Sequence, residues 1–346
     1  MQMEKGSILR TTLDCLRNAA NDENCMSYAD FVQIAAFDPQ IGYYSKIGNR
    51  VGRSPEADFY TTESLGQVFG KLVSAGAVDM LGSEKAAGQH VFVEIGAEPG
   101  KSVLDEINHP FPEILTLRLG DSLDIPEKAF VFANEWLDSL PFHRLRFNEA
   151  EGWQELGVKI EEESLREVIL PEMTDCVTAI KHRLPATSSQ DYRLDLPLRA
   201  VDALRVLAKQ KWQGAFLTFD YGKSWEELIH NHPAGTARAY RNHQSHSNLL
   251  TDPGEIDLTC SLCWDLLTEV LWEQGFKETS VERQESFLMK RSSAAIRKIV
   301  EKQTTGLDEE RQTLHEILHP SLMGDCFQAL SATRLKPSAK GKKACV

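Results

Sequence analysis

The chain has 346 residues, 42% of them hydrophobic and 26% charged, with 38 basic against 51 acidic side chains and a formal net charge of −13. That balance suits a folded, enzyme-sized protein of one large domain or two modest ones, and it excludes collagen, coiled coil and wholesale disorder. No apolar run reaches the roughly 18 residues that a membrane span needs, and an acidic surface repels phosphate, which argues against general nucleic-acid binding.

Met1 to Asp30 is mixed and polar, with acids at Glu4, Asp14, Asp22 and Glu23. It lacks the basic n-region of a secretory signal and is too acidic for a transit peptide. An amphipathic helix opens the chain and gives way to the turn-rich stretches Asp38-Pro39-Gln40-Ile41-Gly42-Tyr43-Tyr44 and Gly48-Asn49-Arg50-Val51-Gly52. Leu65, Val68, Phe69, Leu72, Val73 and Ala77 repeat at the helical period, with Thr61 or Thr62 as the expected N-cap. Then come three continuous apolar runs, Val91 to Ile95, Phe130 to Ala133 and Ala215 to Phe219. Runs of this kind fit central strands of a parallel sheet covered by helices on both faces. Between the second and third runs, Gly152 to Leu170 predicts a hairpin or edge strands, and Leu198, Val201, Leu204, Val206 and Leu207 predict a helix. Phe327 to Leu330 is expected to return to the sheet edge, and the basic tail from Lys336 to Lys343 to be disordered.

The seven cysteines (15, 25, 176, 260, 263, 326 and 345) are scattered and odd in number, which predicts reduced thiols and a cytoplasmic setting. Cys260 and Cys263 form a CxxC without a second pair, so they read as buried cysteines of the helix that Trp264, Leu266, Leu267, Val270 and Leu271 predict. His230, His232, His243 and His246 read as a wet surface loop, and no metal centre is expected.

In an open α/β sheet, ligands bind beyond the carboxyl ends of the strands. Three segments take that place: Glu94 to Gly100, Asn134 to Asp138 and Asp220 to Gly222. In the first, Gly96 and Gly100 can let the backbone approach a cofactor, or can form an ordinary strand-to-helix turn. The spacing is not that of a P-loop, and a dinucleotide fingerprint would want a glycine near Glu98, which makes a nicotinamide enzyme a poor fit. Asp121 can accept from an adenine amino group or cap a turn. If 134–138 turns helical, Glu135 and Asp138 share a face and could clamp a guanidinium; the alternative is a capped, solvated helix start.

These segments in their order resemble the MidA-type SAM-dependent methyltransferases. The resembling pieces are Met26 to Phe31, Asp38-Pro39 to Tyr44, Asp58-Phe59-Tyr60-Thr61-Thr62, Val93-Glu94-Ile95-Gly96, Ala133-Asn134-Glu135 with Asp138 to Pro141, and Asp220-Tyr221-Gly222. Gly235-Thr236 to Tyr240-Arg241, Asp252-Pro253-Gly254-Glu255 to Thr259, Gln284 to Leu288 and Met323-Gly324 complete the set. The resemblance implies an α/β, Rossmann-like class I methyltransferase core with a helical N-terminal segment and an inserted helical and loop substrate region. It further implies S-adenosylmethionine as cofactor, bound by Asp58, Thr61, Glu94, Gly96, Gly100, Asp121 and Asn134. Glu135 and Asp138 would be catalytic, holding an acceptor guanidinium, and Asp220, Tyr221, Tyr240 and Arg241 would bind substrate. The mitochondrial members are associated with arginine methylation of a complex I subunit during assembly, so a protein is the implied substrate or partner.

The expected organisation is an N-terminal, cofactor-covering segment over 1–85, the core over 86–335 and the tail over 336–346. Two features depart from the family. Its glycine loop reads approximately Pro-Gly-Arg-Gly-Thr, whereas this chain has Ala97-Glu98-Pro99-Gly100-Lys101, and a charge at Glu98 would repel a cofactor carboxylate by ~1–4 kcal/mol. Only 33 residues separate Gly100 from Asn134, where helix, strand, helix and strand ordinarily take ~45–60. The departures motivate a second reading, a non-catalytic relative serving as a protein-binding or assembly factor.

Overall fold

A computed structural model describes residues 2–46, 66–97, 100–241, 244–246, 248–302, 308–319 and 327–335. The chain divides into two units, each assembled from separated stretches: 1–64, 135–204 and 220–267 form the first, and 65–134, 205–219 and 268–346 the second.

The second unit carries the parallel sheet. Its six strands lie in the order Lys277–Arg283, Gln328–Arg334, Gln213–Asp220, Lys128–Asn134, Val91–Ile95 and Ile114–Leu117. The apolar runs at 91–95, 128–134 and 213–220 are the parallel centre, with Val93 opposite Val131 and Val131 opposite Phe216. Strands this apolar need cover on both faces. The helix Gln67–Leu81 buries Val68, Phe69, Leu72, Val73 and Ala77, the stripe expected from their period. Phe69 meets Phe132 and Phe219, while Phe92 stacks on Phe130 at 5.7 Å. The expected caps Thr61 and Thr62 lie outside the described residues, and Gly66 precedes the helix instead.

Two expectations for this sheet change. Gln328–Arg334 is not its edge: it lies between Gln213–Asp220 and Lys277–Arg283, which pairs antiparallel to it. The outer strand escaped prediction because Lys277–Arg283 is polar and exposed on both faces. In the short segment from Gly100 to Asn134 two strands form, Ile114–Leu117 and Lys128–Asn134, each parallel to Val91–Ile95. Among the described residues, neither the crossover from Ile95 to Ile114 nor that from Leu117 to Lys128 contains a helix. Parallel strands ordinarily use a helical crossover; here turns replace it, which is how the missing length is absorbed.

The first unit has a five-stranded sheet. Cys25–Ser27, Gly152–Ile160, His143–Asn148 and Arg193–Leu196 follow one another, all pairs antiparallel, and Leu165–Ile169 also pairs with Gly152–Ile160. The expected hairpin over 152–170 is therefore part of a sheet, and what reads in sequence as a helical and loop insertion is largely β-structure. The helix Tyr28–Phe37 is capped by Ser27, whose hydroxyl accepts from the Asp30 amide. Its buried face (Tyr28, Phe31, Val32, Ala35) packs in one core with Leu16, Phe142, Leu156, Val158 and Leu258. Arg238–Arg241, Gln244–His246 and Asp257–Thr259 form a separate three-stranded sheet. Cys260 and Cys263 are buried as expected, but they precede the helix Trp264–Glu273, and Cys263 lies in the short strand Leu262–Cys263.

Candidate active site

In the first unit, Glu135 and Asp138, to which the resemblance assigns the acceptor, lie beside Asp220. Its carboxylate is fully buried and accepts from the amides of Leu137 at 3.1 Å, Asp138 at 3.4 Å and Tyr221 at 2.8 Å. Those bonds fix the turn 135–140, which is not helical, so Glu135 and Asp138 do not share a helix face, and the capped helix start fails with it. Glu135 instead has a positive φ of 47°. A non-glycine residue there costs backbone strain and persists only where surrounding bonds over-determine it. The Asp220 bonds to Leu137 and Asp138, two and three residues on, supply that constraint.

Asp138 is 5% exposed and Asp257 is equally covered. Burial, and then the charges of Asp220 and Asp257, push the Asp138 carboxyl well above the usual carboxylate range. Asp220 is raised too, by burial first and by Glu135 among the charges. Tyr44 donates its hydroxyl to Asp257 at 2.5 Å. Its own acidity falls sharply because it is buried beside Asp257 and Asp138. Like charges packed in low dielectric cannot all ionise together, so the cluster stores a demand for positive charge. Among the described residues, no group of three or more His, Cys, Asp or Glu side chains is placed to hold a metal ion.

The other residues to which the resemblance assigns the substrate are Tyr221, Tyr240 and Arg241. Tyr240 is half-buried and sits directly across the ladder from Asp257. Arg241 pairs with Asp252 at 2.9 Å, so it is held by a carboxylate of its own loop. Tyr221 is 36% exposed. Gly222 after it tolerates no side chain, since a Cβ would come 2.3 Å from the Trp264 ring. The segment entering Tyr240 is anchored by Asp195, which accepts from the amides of Thr236 and Ala237 and pairs with buried Arg144 at 3.3 Å. Sequence reasoning passed over Tyr44 and Asp257. Both stand in the quoted family segments, but only folding brings residues 213 positions apart to one bond.

In the second unit, the cofactor-side residues occupy the carboxyl ends of three adjacent strands. Glu94 is buried and takes the hydroxyl of Ser102 at 2.5 Å and the amide of Val103 at 3.0 Å. Burial pushes its carboxyl up to about 7, against the lowering effect of those bonds. Gly96 and Gly100 are exposed, with φ of 81° and 74°. A Cβ at Gly100 would meet nothing within 4 Å, so room is available beside this backbone. Asp121 is exposed and caps its own turn by accepting from the Arg118 amide at 2.8 Å. Asn134 ends its strand half-buried. Asp58, Thr61 and Glu98 lie outside the described residues. The open glycine turn and the strand-end carboxyl suit an amino-acid-bearing nucleoside, while the Glu94 oxygens are already engaged by the chain itself.

The burial of Glu94 predicts a pH dependence. A carboxyl whose folded value, about 7, lies above its ordinary value of 4.5 favours the fold when protonated. Its contribution is full below about pH 4.5 and is lost as pH rises through 7, up to about 3 kcal/mol in all. Denaturant unfolding of Glu94→Gln is expected to depend less on pH between 5 and 8 than the wild type does. Equal pH dependence in both proteins would refute the assignment.

Comparison with known proteins matches residues 84–281 to the family described as "Putative S-adenosyl-L-methionine-dependent methyltransferase". The chain belongs to that family. The family's cofactor is S-adenosylmethionine. A curated Drosophila melanogaster relative, the protein arginine methyltransferase NDUFAF7 homolog, mitochondrial, is 23% identical over 305 residues, covering 71% of this chain and 67% of the relative. Two crystal structures from Burkholderia thailandensis share the fold. A COG1565 superfamily member bound to S-adenosyl-homocysteine has a TM-score of 0.83 at 19% identity and covers 98% of this chain and 97% of its own. A native COG1565 superfamily structure has a TM-score of 0.80 at 18% identity, covering 98% and 96%. The resemblance read from the ordered motifs and the Rossmann-like methyltransferase fold are thus both shown.

Proposed function

We propose that this methyltransferase-like protein moves the methyl group of S-adenosylmethionine to the guanidinium of a protein arginine. The observation that carries the reading is the cluster of Asp138, Asp220 and Asp257 beside Glu135, in which burial first and neighbouring carboxylates after it raise the Asp138 and Asp220 carboxyls well above their ordinary range. A guanidinium is planar, permanently cationic and able to bond a carboxylate in two places. Its arrival would favour the ionised carboxylates, its attraction offsetting the desolvation that raises Asp138 and Asp220. The Drosophila relative's name agrees with this acceptor.

Each residue then has a role. Glu135 orients the guanidinium; Asp138 and Asp257 offset its charge while a second positive group is nearby. Asp220 acts through the turn that it bonds, as a positioning residue. Tyr221 and Tyr240 flank the peptide, and Arg241 keeps its loop closed through Asp252. Glu94, Gly96, Gly100, Asp121 and Asn134, with Asp58 and Thr61, would hold the cofactor. What the bound cofactor supplies is an electrophilic sulfonium methyl. The protein's contribution is positioning and exclusion of water. A subunit of complex I as acceptor, and a cytoplasmic or mitochondrial setting, belong to this proposal. Cys15, Cys25, Cys176, Cys260 and Cys263 as free thiols favour a reducing compartment.

A second reading has its own observation: crossovers without a helix and a Glu94 already bonded by Ser102 and Val103 favour a non-catalytic binding or assembly factor. One pair of measurements separates them. Calorimetric titration of S-adenosylmethionine into the folded chain is expected to show binding, and incubation with methyl-labelled cofactor and an arginine-bearing protein to place label on arginine. Absence of binding up to millimolar cofactor would leave only the binding-factor reading. Binding with label on another residue type would overturn the acceptor.

A further inference from the structure

Away from the carboxylate cluster, the antiparallel sheet of the first unit assembles a second group of reactive side chains. His143, on its strand, is 2% exposed. One ring nitrogen, Nδ1, lies 2.7 Å from Glu155 Oε1, and the other, Nε2, lies 3.1 Å from the sulfur of Cys176. His143 and Glu155 come from neighbouring strands of one hairpin, and Cys176 comes from the helix Asp175–Ile180. Glu155 is itself held: the Thr174 hydroxyl and amide donate to Oε2 at 2.9 and 2.7 Å. A nucleophile bonded to a base, with the base oriented by a third buried group, is the arrangement that activates a thiol. Cys176 alone of the three is open in part to solvent.

We propose that Cys176, His143 and Glu155 form a reactive-thiolate site that is oxidised by hydroperoxides, separate from the methyl-transfer residues. Electrostatics agree with the geometry. Burial resists the charge on His143, but the bonds from Cys176 and Glu155 outweigh it and raise the imidazole to about 9. Burial likewise resists the thiolate, and Glu155 repels it, yet the bonds from His143 and Thr174 bring Cys176 below an ordinary thiol. Proton transfer from sulfur to Nε2 thus gives a thiolate–imidazolium pair. The thiolate attacks one peroxide oxygen; the S–O bond forms and the O–O bond breaks. Sulfur is oxidised to a sulfenic acid and the peroxide is reduced. The Nε2 proton goes to the departing oxygen, which leaves as water or an alcohol, and His143 ends neutral. A small oxidant of this kind needs no binding cavity, only access to the sulfur.

The other cysteines provide the contrast within one molecule. Cys260 and Cys263 are buried, and burial pushes both thiols up, Cys263 to about 12. The test is peroxide treatment of the full wild-type chain, dimedone trapping and mass spectrometry of each cysteine, with iodoacetamide alkylation followed against pH. Dimedone label should concentrate on Cys176 and be lost in Cys176→Ser. The alkylation midpoint of Cys176 should fall below the ordinary thiol value of about 8.5. Each unit of lowering raises the thiolate fraction about tenfold and costs about threefold in nucleophilicity, a net gain of about threefold near neutral pH. In His143→Asn the midpoint should rise by a unit or more. Should that variant fail to fold, the wild-type profile decides alone. A Cys176 midpoint at or above 8.5, or sulfenic label spread over other cysteines, would overturn the proposal.

Discussion

Glu135→Gln is expected to lower methyl transfer to an arginine acceptor about 100-fold or more while leaving the folded state intact. The glutamine keeps the shape and one acceptor oxygen but loses the charge. Removing one partner from a desolvated, hydrogen-bonded ion pair costs about 2–5 kcal/mol, and about 2.7 kcal/mol is a hundredfold. The backbone at this position is held from outside, by the Asp220 bonds to Leu137 and Asp138, so the turn should survive. Loss should fall mainly on transfer and acceptor affinity, with a much smaller change in cofactor affinity, because of the proposed cofactor-holding residues only Asn134 adjoins Glu135. Steady-state transfer with labelled cofactor, beside calorimetric binding of the cofactor, reads both quantities. A variant that transfers within threefold of wild type would remove Glu135 from the site.

The largest stability effect should come from Arg334→Ala. This side chain closes the last strand of the parallel sheet. Nε donates to the Trp212 carbonyl at 2.9 Å, Nη1 to Ala208 at 2.7 Å and Gln274 at 3.2 Å, and Nη2 to Gln210 at 2.6 Å. The guanidinium also lies over the Trp212 and Phe276 rings, 4.9 and 4.4 Å from their centroids. Charged-group hydrogen bonds contribute about 1.5–3 kcal/mol each, and a partly desolvated cation–π contact about 1–2 kcal/mol. These terms share one side chain and do not add, so a total loss of about 3–4 kcal/mol is expected. Arg334→Lys should recover less than half, since an ammonium cannot reach four carbonyls while stacking on two rings. Denaturant unfolding of the three proteins measures this; a loss under 1 kcal/mol for the alanine variant would refute the assignment.

The two proposed activities, methyl transfer and thiol oxidation, would use the first unit in different ways. The cluster groups carboxyls that burial raises above their ordinary range, whereas His143 lies between Cys176 and Glu155 and is hydrogen-bonded to both. Low dielectric amplifies both arrangements. On the proposals above, it would make the first a receptor for a guanidinium and the second a thiolate–imidazolium pair.

Much of the parallel core was legible before folding. Val91–Ile95, Lys128–Asn134 and Gln213–Asp220 are buried on both faces, so their apolar runs carry the signal without knowledge of partners. The helix Gln67–Leu81 was equally plain from its 3.6-residue stripe. The outer strand Lys277–Arg283 was not: its polar, exposed residues carry no alternation, and its place is set by pairing with Gln328–Arg334. The ordered family motifs identified the family, because chain order survives where each short segment alone is ambiguous.

Sequence by itself determined which residue types are available and on which strand ends they fall: Glu94, Asn134 and Asp220 each close or nearly close an apolar run. Tertiary structure alone decided what they do there. Glu135 and Asp138 looked like one face of a helix, and Asp220 makes them a strained turn by accepting two amides from across the fold. Tyr44 meets Asp257, and Cys176 meets His143, over sequence separations that no local spacing rule can bridge. The physical reason is range. Periodicity reports burial along a single element, while protonation, strain and hydrogen bonding depend on which distant groups packing brings within about 3 Å.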